Sequence, residues 1–499
     1  MAHQSDDASS ATAEPGPVPA QPPPAPGETS LRANAMGLPA VLMQAITHIG
    51  PAIGLATTIA FVTGLVGVTS PLAYGFAFLL VVTIGASLTR LAKNFPSAGG
   101  YFTYVSKAIH PRAGALTGWL YFIYDPLVAA ILIAYFGFVL QGFLQADYNF
   151  DFSWWATFVI LAGIVTACLY CGIQISAKAL LILGGLEIAI LVALAASGLA
   201  SPGAGGTNLT SFNPASSLSS HGMYLAVVFS ITSFTGFESV APLAEEARDP
   251  RRTVPRAIVF SVILMGLFFV LVSWGIVVGW GTAHAASLAT SVQNPMLVVA
   301  RRLWGIGWIF VMLAIGNSAL ACGLASSNAA TRVFYGMSRS GALPKALSAV
   351  HPRFKTPTNA IHLQTAITFV FGLVVGFWIG ANQEYYVTGL ALTLALILIY
   401  GAGNIGVIRY QLSQGRADFN LWLDAVFPVV STGALLWVGY KSIVPLPASP
   451  VLYAPFIAAG WLVAGAGFVW LVAKRGNEAR LRQAAAVVYE GSLPPGRAG

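Results

Sequence analysis

Charged side chains are scarce in this sequence: Asp, Glu, Lys and Arg together make up only 8% of its 499 residues. Soluble domains carry about 25% charged residues, because a soluble surface must stay hydrated. Hydrophobic residues account for 56% of the chain, and the mean hydropathy is +0.74. The shortage of charge excludes a large soluble fold and indicates an integral membrane protein.

Cysteine is equally rare. The chain has three cysteines, and Cys168, Cys171 and Cys322 all fall in or beside apolar segments. A structural zinc site needs about four ligands, whereas the "CLYC" pair has neither a second pair nor a nearby histidine. We therefore expect no metal site and no cofactor, and interpret these cysteines as small buried residues.

Long apolar segments dominate the chain, and their lengths of about 18 to 25 residues or more suit membrane-spanning helices. The alternating pattern of a membrane β-barrel is absent, so we predict an all-α integral membrane protein. The twelve predicted spans are 39–66, 72–92, 113–142, 153–171, 177–199, 222–244, 257–281, 303–334, 360–380, 386–408, 421–440 and 451–473.

The basic residues support this arrangement. If the amino terminus is cytoplasmic, 22 of the 25 basic residues fall on the cytoplasmic side, leaving outside only Arg301, Arg302 and Lys441. The positive-inside rule expects this bias. We predict a multi-pass protein of the cell membrane with both termini cytoplasmic. The net charge of +8 is explained by the loops and does not indicate nucleic-acid binding.

The two ends differ from the rest. Residues 1–37 begin with a proline-rich stretch and no apolar core, so we predict a disordered cytoplasmic tail. No signal peptide is recognisable there. The membrane domain is predicted over 38–473, followed by a second cytoplasmic tail over 474–499.

The first span contains helix-breaking residues in its middle, in "ITHIGPAIGLATT". Pro51 lacks an amide hydrogen and its ring clashes with the preceding turn, while Gly50 and Gly54 lower the cost of unwinding. Freed backbone groups at membrane depth are tolerated only where they face protein or a water-filled cavity. A broken span therefore indicates a cavity.

The sixth span contains a second interruption, "FSITSFTGFESVAP". Spans one and six correspond to each other in two five-helix halves, 39–199 and 222–408, which run in opposite directions. Paired broken helices in inverted repeats indicate a transporter's substrate site. The predicted substrate-binding residues of the two breaks are Gly50, Pro51, Ala52, Ile53 and Gly54, and Thr232, Ser233, Phe234, Thr235 and Gly236.

Three longer segments resemble one family. "GFESVAPLAEEARDPRRTVPRAI", "FPSAGGYFTYVSKAIHPRAGALTGW" and "NSALACGLASSNAATRVFYGMSRSGALPKAL" are similar, in this order, to amino acid–polyamine–organocation transporters. The resemblance covers about residues 38–473. It implies a five-plus-five inverted repeat of the leucine transporter type, with two additional helices over 421–473, and secondary active transport of amino acids or organic amines.

The first break departs from the family pattern. The family usually has Gly-Ser-Gly where this chain has Gly50, Pro51 and Ala52. By the resemblance, amides at this break hold the carboxylate of an amino acid substrate, and proline removes one of them. The amides of residues 52–54 leave a carboxylate site possible. Some amine importers of the family also carry proline here.

Ionisable residues inside spans are functional hypotheses, because each charge there is costly. Asp125 in span three could pair with a substrate ammonium or bond to helix backbone. His48 adjoins the first break and could take part in coupling or donate to backbone. Glu187 in span five lies, by the resemblance, near the ion site of relatives, where low dielectric favours a neutral carboxyl that exchanges a proton. Glu238 follows the second break as a gate or coupling group, or as a cap for loose amides.

Span eight adds hydroxyl groups. Gly323, Ser326 and Ser327 lie on one helix face, in the pattern that sodium-coupled relatives use for ion binding. Small and hydroxyl residues also serve helix packing in membranes, and packing is the interpretation we favour. The loop after span six contains Glu245, Glu246 and Asp249. We interpret it as a loop lock, meaning a loop that clamps the end of span six, rather than as a catalytic site.

These observations predict a secondary transporter, not an enzyme, that imports an amino acid, with a proton favoured over sodium as the coupling ion. Three alternatives stay open. They are a polyamine or organic-amine carrier of the same fold, a membrane-embedded enzyme, and a channel or nutrient sensor. The sequence does not name the substrate or the oligomeric state.

Overall fold

The computed structural model describes residues 30–291, 293–413 and 419–474. Most of the two predicted tails therefore lies outside the described residues. The part of the amino-terminal tail that is described packs onto the body of the protein, where Leu31 and Met36 are buried. The amide of Met36 donates to the carbonyl oxygen of Glu246 at 3.0 Å. The amide of Arg248 donates to the carbonyl oxygen of Met36 at 2.8 Å.

The described residues form helices and contain no β-strand, only two isolated bridges. The helices are α1 (Leu38–Ile49), α2 (Pro51–Val66), α3 (Ser70–Asn94), α4 (Tyr101–Ala108), α5 (Pro111–Tyr148), α6 (Trp154–Cys171), α7 (Ile173–Ala200), α8 (Ser220–Thr232), α9 (Pro250–Trp280), α10 (Pro295–Trp304), α11 (Trp308–Arg339), α12 (Thr358–Ile379), α13 (Ala381–Ser413), α14 (Phe427–Ile443) and α15 (Ala454–Lys474).

Eleven segments of the described chain are long and apolar enough to cross a membrane. The first, Leu38–Asn94, has 57 residues and contains α1, α2 and α3. The predicted all-helical membrane architecture is thus confirmed at this level. The remaining segments correspond in order to the apolar runs of the sequence.

Two long helices form the centre of the bundle. The helix α5 has 38 residues, and it packs against α4, α6, α11, α12, α13 and α15. The helix α11 has 32 residues and contacts α5 and α7 as well as both interrupted segments. Because α5 and α11 bury most of their middle residues, side chains on them can reach the centre of the protein.

The outer helices expose large apolar side chains instead. Trp378 on α12 is 81% exposed and Val463 on α15 is 71% exposed. A contiguous apolar exterior marks a membrane interaction surface, and it suits contact with lipid.

Candidate functional site

The first interruption occurs at Gly50, between α1 and α2. Gly50 has φ +67° and ψ 72°, a left-handed conformation that glycine adopts without the penalty of a Cβ atom. Its amide closes α1 by donating to the carbonyl oxygens of Ile46 and Thr47 at 3.2 and 3.1 Å. Pro51, which has no amide to satisfy, then begins α2. The predicted break is present at the predicted residues.

The freed backbone groups at this break are satisfied by α11. The amide of Ile53 donates to Ser318 Oγ at 3.1 Å, and the thiol of Cys322 donates to the carbonyl oxygen of His48 at 2.9 Å. The amide of Gly54 donates to the carbonyl oxygen of Gly50 at 2.7 Å. Two of the three amides over 52–54 that the sequence offers to a carboxylate are therefore already engaged.

The second interruption separates α8 from the short 3₁₀ helix Phe237–Leu243. Gly236 sits between them with φ +120°. Its amide donates to Glu238 Oε2 at 3.0 Å, and Thr235 Oγ1 donates to the carbonyl oxygen of Thr232 at 2.9 Å. Glu238 thus caps loose backbone at the break, one of its two predicted roles.

The two interruptions touch each other. A Cβ atom on Gly236 would lie 2.7 Å from the carbonyl carbon of His48 and 2.9 Å from the amide nitrogen of Ile49. Ser233 Oγ lies 2.9 Å from Thr58 Oγ1 and 3.4 Å from the carbonyl oxygen of Gly54, to which it donates. Chain segments almost 180 residues apart therefore meet through backbone and hydroxyl groups, without an intervening side-chain layer.

A cavity of about 500 Å³ opens beside this contact. Most of its wall is apolar, with polar groups at the two breaks and at the far end near Lys441. Of the predicted site residues, the ones that line it are His48, Ile53, Gly54, Thr232, Ser233 and Thr235. The cavity extends to Lys441 and Ser442 at the end of α14 and to the loop over 445–451. Its size and mixed lining are typical of a small-molecule site.

The other predicted residues surround the cavity without lining it. Gly50, Pro51, Ala52 and Gly236 form the breaks behind it. The ring of Phe234 is buried against Phe269, with a centroid separation of 4.9 Å. Aromatic side chains nonetheless face the cavity, and they are Phe61, Tyr124, Phe229, Tyr385 and Tyr386.

His48 and Asp125 form a pair that the sequence does not reveal. His48 Nε2 lies 3.6 Å from Asp125 Oδ1, and each side chain is 1% exposed. Within the described residues, neither ring nitrogen of His48 and neither carboxyl oxygen of Asp125 has a hydrogen-bond partner. The ring of Tyr124 stacks on His48 at a centroid distance of 6.0 Å. His48 lines the cavity, and Asp125 lies behind it.

The two predicted glutamates occupy different surroundings. Glu238 is fully buried next to the hydroxyl groups of Tyr124 and Tyr400. Glu187 on α7 is fully buried and approaches the hydroxyl of Ser318, the same group that receives the amide of Ile53. Ser318 therefore lies between Glu187 and the first break.

The hydroxyls of span eight are engaged within the bundle. Ser326 Oγ donates to the carbonyl oxygen of Gly323 at 3.2 Å, and Ser327 Oγ accepts from Gln364 Nε2 at 3.2 Å. Neither residue lines the cavity. Among the described residues, no group of three or more His, Cys, Asp or Glu could hold a metal ion.

Several cavity residues were missed by the sequence analysis. Thr57 and Thr58 lie one turn beyond the break on α2, and their helical spacing from Gly54 is a signal that could have identified them. Cys322, Tyr124 and Tyr385 come from unbroken helices, although Pro126 lies inside α5 two residues after Tyr124. Only tertiary packing brings these three to the cavity.

The end of the bundle opposite Lys441 is sealed by ion pairs. Arg332 on α11 donates to Glu246 Oε2 at 2.8 Å and to Oε1 at 3.3 Å, with both side chains buried. Arg339 pairs with Glu245, and Glu245 Oε1 also accepts the amide of Ala98 at 3.0 Å. The loop lock predicted for Glu245 and Glu246 thus joins the segment after the second break to α11.

Comparisons with known proteins identify one family. A family model described as amino acid permease matches residues 40–472. The chain is 27% identical over 341 residues to the low-affinity putrescine importer PlaP of Escherichia coli (strain K12), covering 66% of this chain and 72% of that protein. It is 29% identical over 411 residues to the L-methionine/branched-chain amino acid exporter YjeH of the same strain, covering 78% and 87%. It is 27% identical over 372 residues to the branched-chain amino acid permease BcaP of Bacillus subtilis (strain 168), covering 70% and 76%.

Proposed function

The chain belongs to the amino acid permease family of the amino acid–polyamine–organocation superfamily, and on that premise we propose that it is a secondary active transporter importing an amino acid across the cell membrane. The observation that supports this most strongly is the contact between the two breaks beside a cavity. Gly236 lies against the peptide of His48, and hydroxyls from both segments face the same space.

The proposal includes the fold expected from the resemblance. The segment Leu38–Asn94 contains α1 and α2 over 38–66 and then α3, which has 25 residues. Each of these two stretches provides about 38 Å of helix or more, so each can cross a hydrocarbon core of about 30 Å once. Twelve crossings follow, with inverted halves over 39–199 and 222–408 and two helices over 421–473. Both tails then lie in the cytoplasm.

The described conformation suits an outward-facing state. The cavity extends toward Lys441, which the distribution of basic residues assigns to the outside. The opposite, cytoplasmic end is closed by Arg332 with Glu246 and by Arg339 with Glu245. In the proposed cycle, α1, α2, α3, α8 and α9 rock against the other helices, and this breaks the two ion pairs and opens the cavity inward.

The substrate's ammonium group is proposed to bind near Ser233 and Thr235, whose hydroxyls lie on the cavity wall with the end of α8. Its carboxylate would lie at the amino-terminal end of α2, where the helix dipole favours negative charge. Phe229 and Tyr385 supply apolar wall around the side chain.

One observation favours a second candidate, an organic-amine carrier. The amides of Ile53 and Gly54 are engaged by Ser318 and Gly50, which weakens a carboxylate site. Glu238 is buried at the second break and favours a positive charge nearby. A substrate with an ammonium group and no carboxylate meets these conditions.

A proton is proposed as the coupling ion. Sodium needs several oxygen ligands, and the hydroxyls of Ser326 and Ser327 lie away from the cavity, within the bundle. Ionisable groups that can accept a proton, by contrast, surround the two breaks.

Uptake into liposomes tests the proposal. Purified protein is reconstituted, a pH or a sodium gradient is imposed, and labelled alanine, leucine, methionine and putrescine are offered separately. We expect concentrative uptake of at least one solute, with a response to the pH gradient. Uptake of putrescine alone would select the amine carrier. Equilibration without accumulation would indicate a channel, and absence of flux for all four would contradict the proposal.

A further inference from the structure

His48 and Asp125 are ionisable, buried and close together at the centre of the protein. Asp125 is the fifteenth of the 38 residues of α5, far from either end of that helix. The 3.6 Å between His48 Nε2 and Asp125 Oδ1 is too long for a good hydrogen bond. All four polar atoms of the pair lack hydrogen-bond partners within the described chain, so the pair has no fixed structural bond to preserve.

The groups facing the pair are acidic or neutral. From α5 these are the phenols of Tyr121 and Tyr124, and from the second break it is Glu238, whose charge opposes a charge on Asp125. From α11 the thiol of Cys322 faces it, donating to the backbone of His48.

A buried carboxylate without a partner is costly, and so is a buried imidazolium. One proton on the pair leaves it with no net charge, either as a neutral acid beside neutral imidazole or as an ion pair. Removing that proton leaves one uncompensated negative charge. While its two members are close together, the pair can hold the proton either as a neutral acid or as an ion pair. When they are apart, only the neutral acid avoids a buried charge, so the free energy of proton binding depends on their separation.

The two residues belong to parts of the protein that move relative to each other in the proposed cycle. His48 is on the last turn of α1, directly before the hinge at Gly50, and α1 is in the rocking group. Asp125 is on α5, which packs against α11, α12 and α13 outside that group. Rocking changes the distance between them, so proton binding has different free energies in the two states. That difference is what coupling requires.

We propose that His48 and Asp125 together bind the coupling proton of this transporter. His48, which lines the cavity, takes the proton from water on one side and releases it to water on the other after the conformational change. Asp125 acts as a positioning residue that stabilises the proton on the pair. No bond other than that to the proton forms or breaks. This inference rests on the proposed transport function.

The two glutamates predicted as coupling groups fit this role less well. Glu238 Oε2 accepts the amide of Gly236 two residues away, so its bond stays within one segment. Glu187 approaches Ser318, and both α7 and α11 lie outside the rocking group. Across the moving boundary, Glu238 lies next to the hydroxyls of Tyr124 and Tyr400, which are neutral groups and do not share a proton with it as an imidazole can.

The test separates exchange from coupling in liposomes. His48→Gln and Asp125→Asn are compared with the wild type in two assays, using labelled putrescine, or labelled leucine if the uptake panel selects it. Counterflow against unlabelled solute measures binding and the conformational change. Net uptake under a pH gradient measures coupling. We expect counterflow by both variants to lose its dependence on pH, and the ratio of gradient-driven net uptake to counterflow to fall by about tenfold or more relative to the wild type.

Two control variants sharpen the result. Glu384→Gln changes another fully buried carboxyl whose oxygens lack hydrogen-bond partners within the described chain, but which does not line the cavity. In both Glu384→Gln and Glu187→Gln, net uptake should still respond to the pH gradient. Where a variant of the pair does not purify as a monodisperse protein, His48→Asn or Asp125→Ser replaces it.

The outcomes are distinguishable. If the wild type shows no counterflow with any solute, the transport proposal itself fails. If it does and the pair variants still respond to the gradient, the inference is overturned. If the pair variants lose counterflow as well while Glu384→Gln retains it, the pair serves substrate binding, and the inference is again overturned.

Discussion

Gly236 packs directly against the peptide of His48, so closely that a Cβ atom at Gly236 would lie 2.7 Å from the His48 carbonyl carbon. This contact joins the two interrupted segments at backbone level. It accounts for glycine at a position with φ +120°, because any larger residue would add both strain and a clash.

We therefore predict that Gly236→Ala disables transport. The added methyl group must push the two breaks apart, and counterflow in liposomes should fall by about tenfold or more, a loss equivalent to about 1.4 kcal/mol. The matched control is Gly142→Ala on α5, where a Cβ atom meets nothing within 4 Å. Equal rates for the two variants would show that the contact is unimportant.

The thiol of Cys322 provides a second prediction. It donates to the carbonyl oxygen of His48, a group freed by the break. Cys322→Ser keeps a donor at this position, whereas Cys322→Val removes it, adds a branched side chain and leaves a buried acceptor unpaired. We expect Val to lower the free energy of unfolding by about 1–3 kcal/mol relative to Ser.

Thermal unfolding in detergent measures this difference. Cys171→Val serves as the control, since Cys171 is exposed. If the Ser and Val variants at position 322 unfold at the same temperature, the carbonyl oxygen of His48 does not depend on the thiol.

The buried pair of Arg332 and Glu246 leads to a third prediction. Arg332→Met leaves the Glu246 carboxylate buried without its partner, which should cost about 3–5 kcal/mol of stability. Adding Glu246→Gln should restore much of the loss, because the unpaired charge is then gone. Arg252→Met is the control, because Arg252 is exposed and its pair with Asp249 is long at 3.6 Å. If Arg332→Met alone is as stable as Arg252→Met, the buried pair does not stabilise the protein as described.

The sequence predicted much of the fold from a few physical features. Scarce charge and long apolar runs indicate membrane helices, and the described chain is helical with spanning segments in the predicted order. The first break was identifiable because Gly50 and Pro51 each disfavour continuous helix for a reason that needs no tertiary information.

The site was less accessible from the sequence. The sequence presents His48 and Asp125 only as separate candidates, since residues 77 positions apart in sequence give no sign that they lie 3.6 Å apart. The engagement of the Ile53 amide by Ser318 depends on how α11 packs, which no local pattern reveals. Cavity walls from unbroken helices, such as Tyr385 on α13, were missed for the same reason.

The central claim is that the transported solute occupies the cavity beside the two breaks, and filling that cavity tests it most directly. Gly389 on α13 lines the cavity, and a Cβ atom there meets nothing within 4 Å. The Cβ atom of a larger residue at position 389 therefore meets no protein atom, and a bulky side chain there takes up volume at the cavity wall. Gly433 on α14 is equally open but does not line the cavity.

The measurement is solute counterflow in liposomes by Gly389→Phe and by Gly433→Phe, at equal amounts of monodisperse protein. We predict a fall of about tenfold or more for Gly389→Phe, and a rate close to the wild type for Gly433→Phe. Wild-type counterflow by Gly389→Phe would contradict the assignment of this cavity as the substrate site.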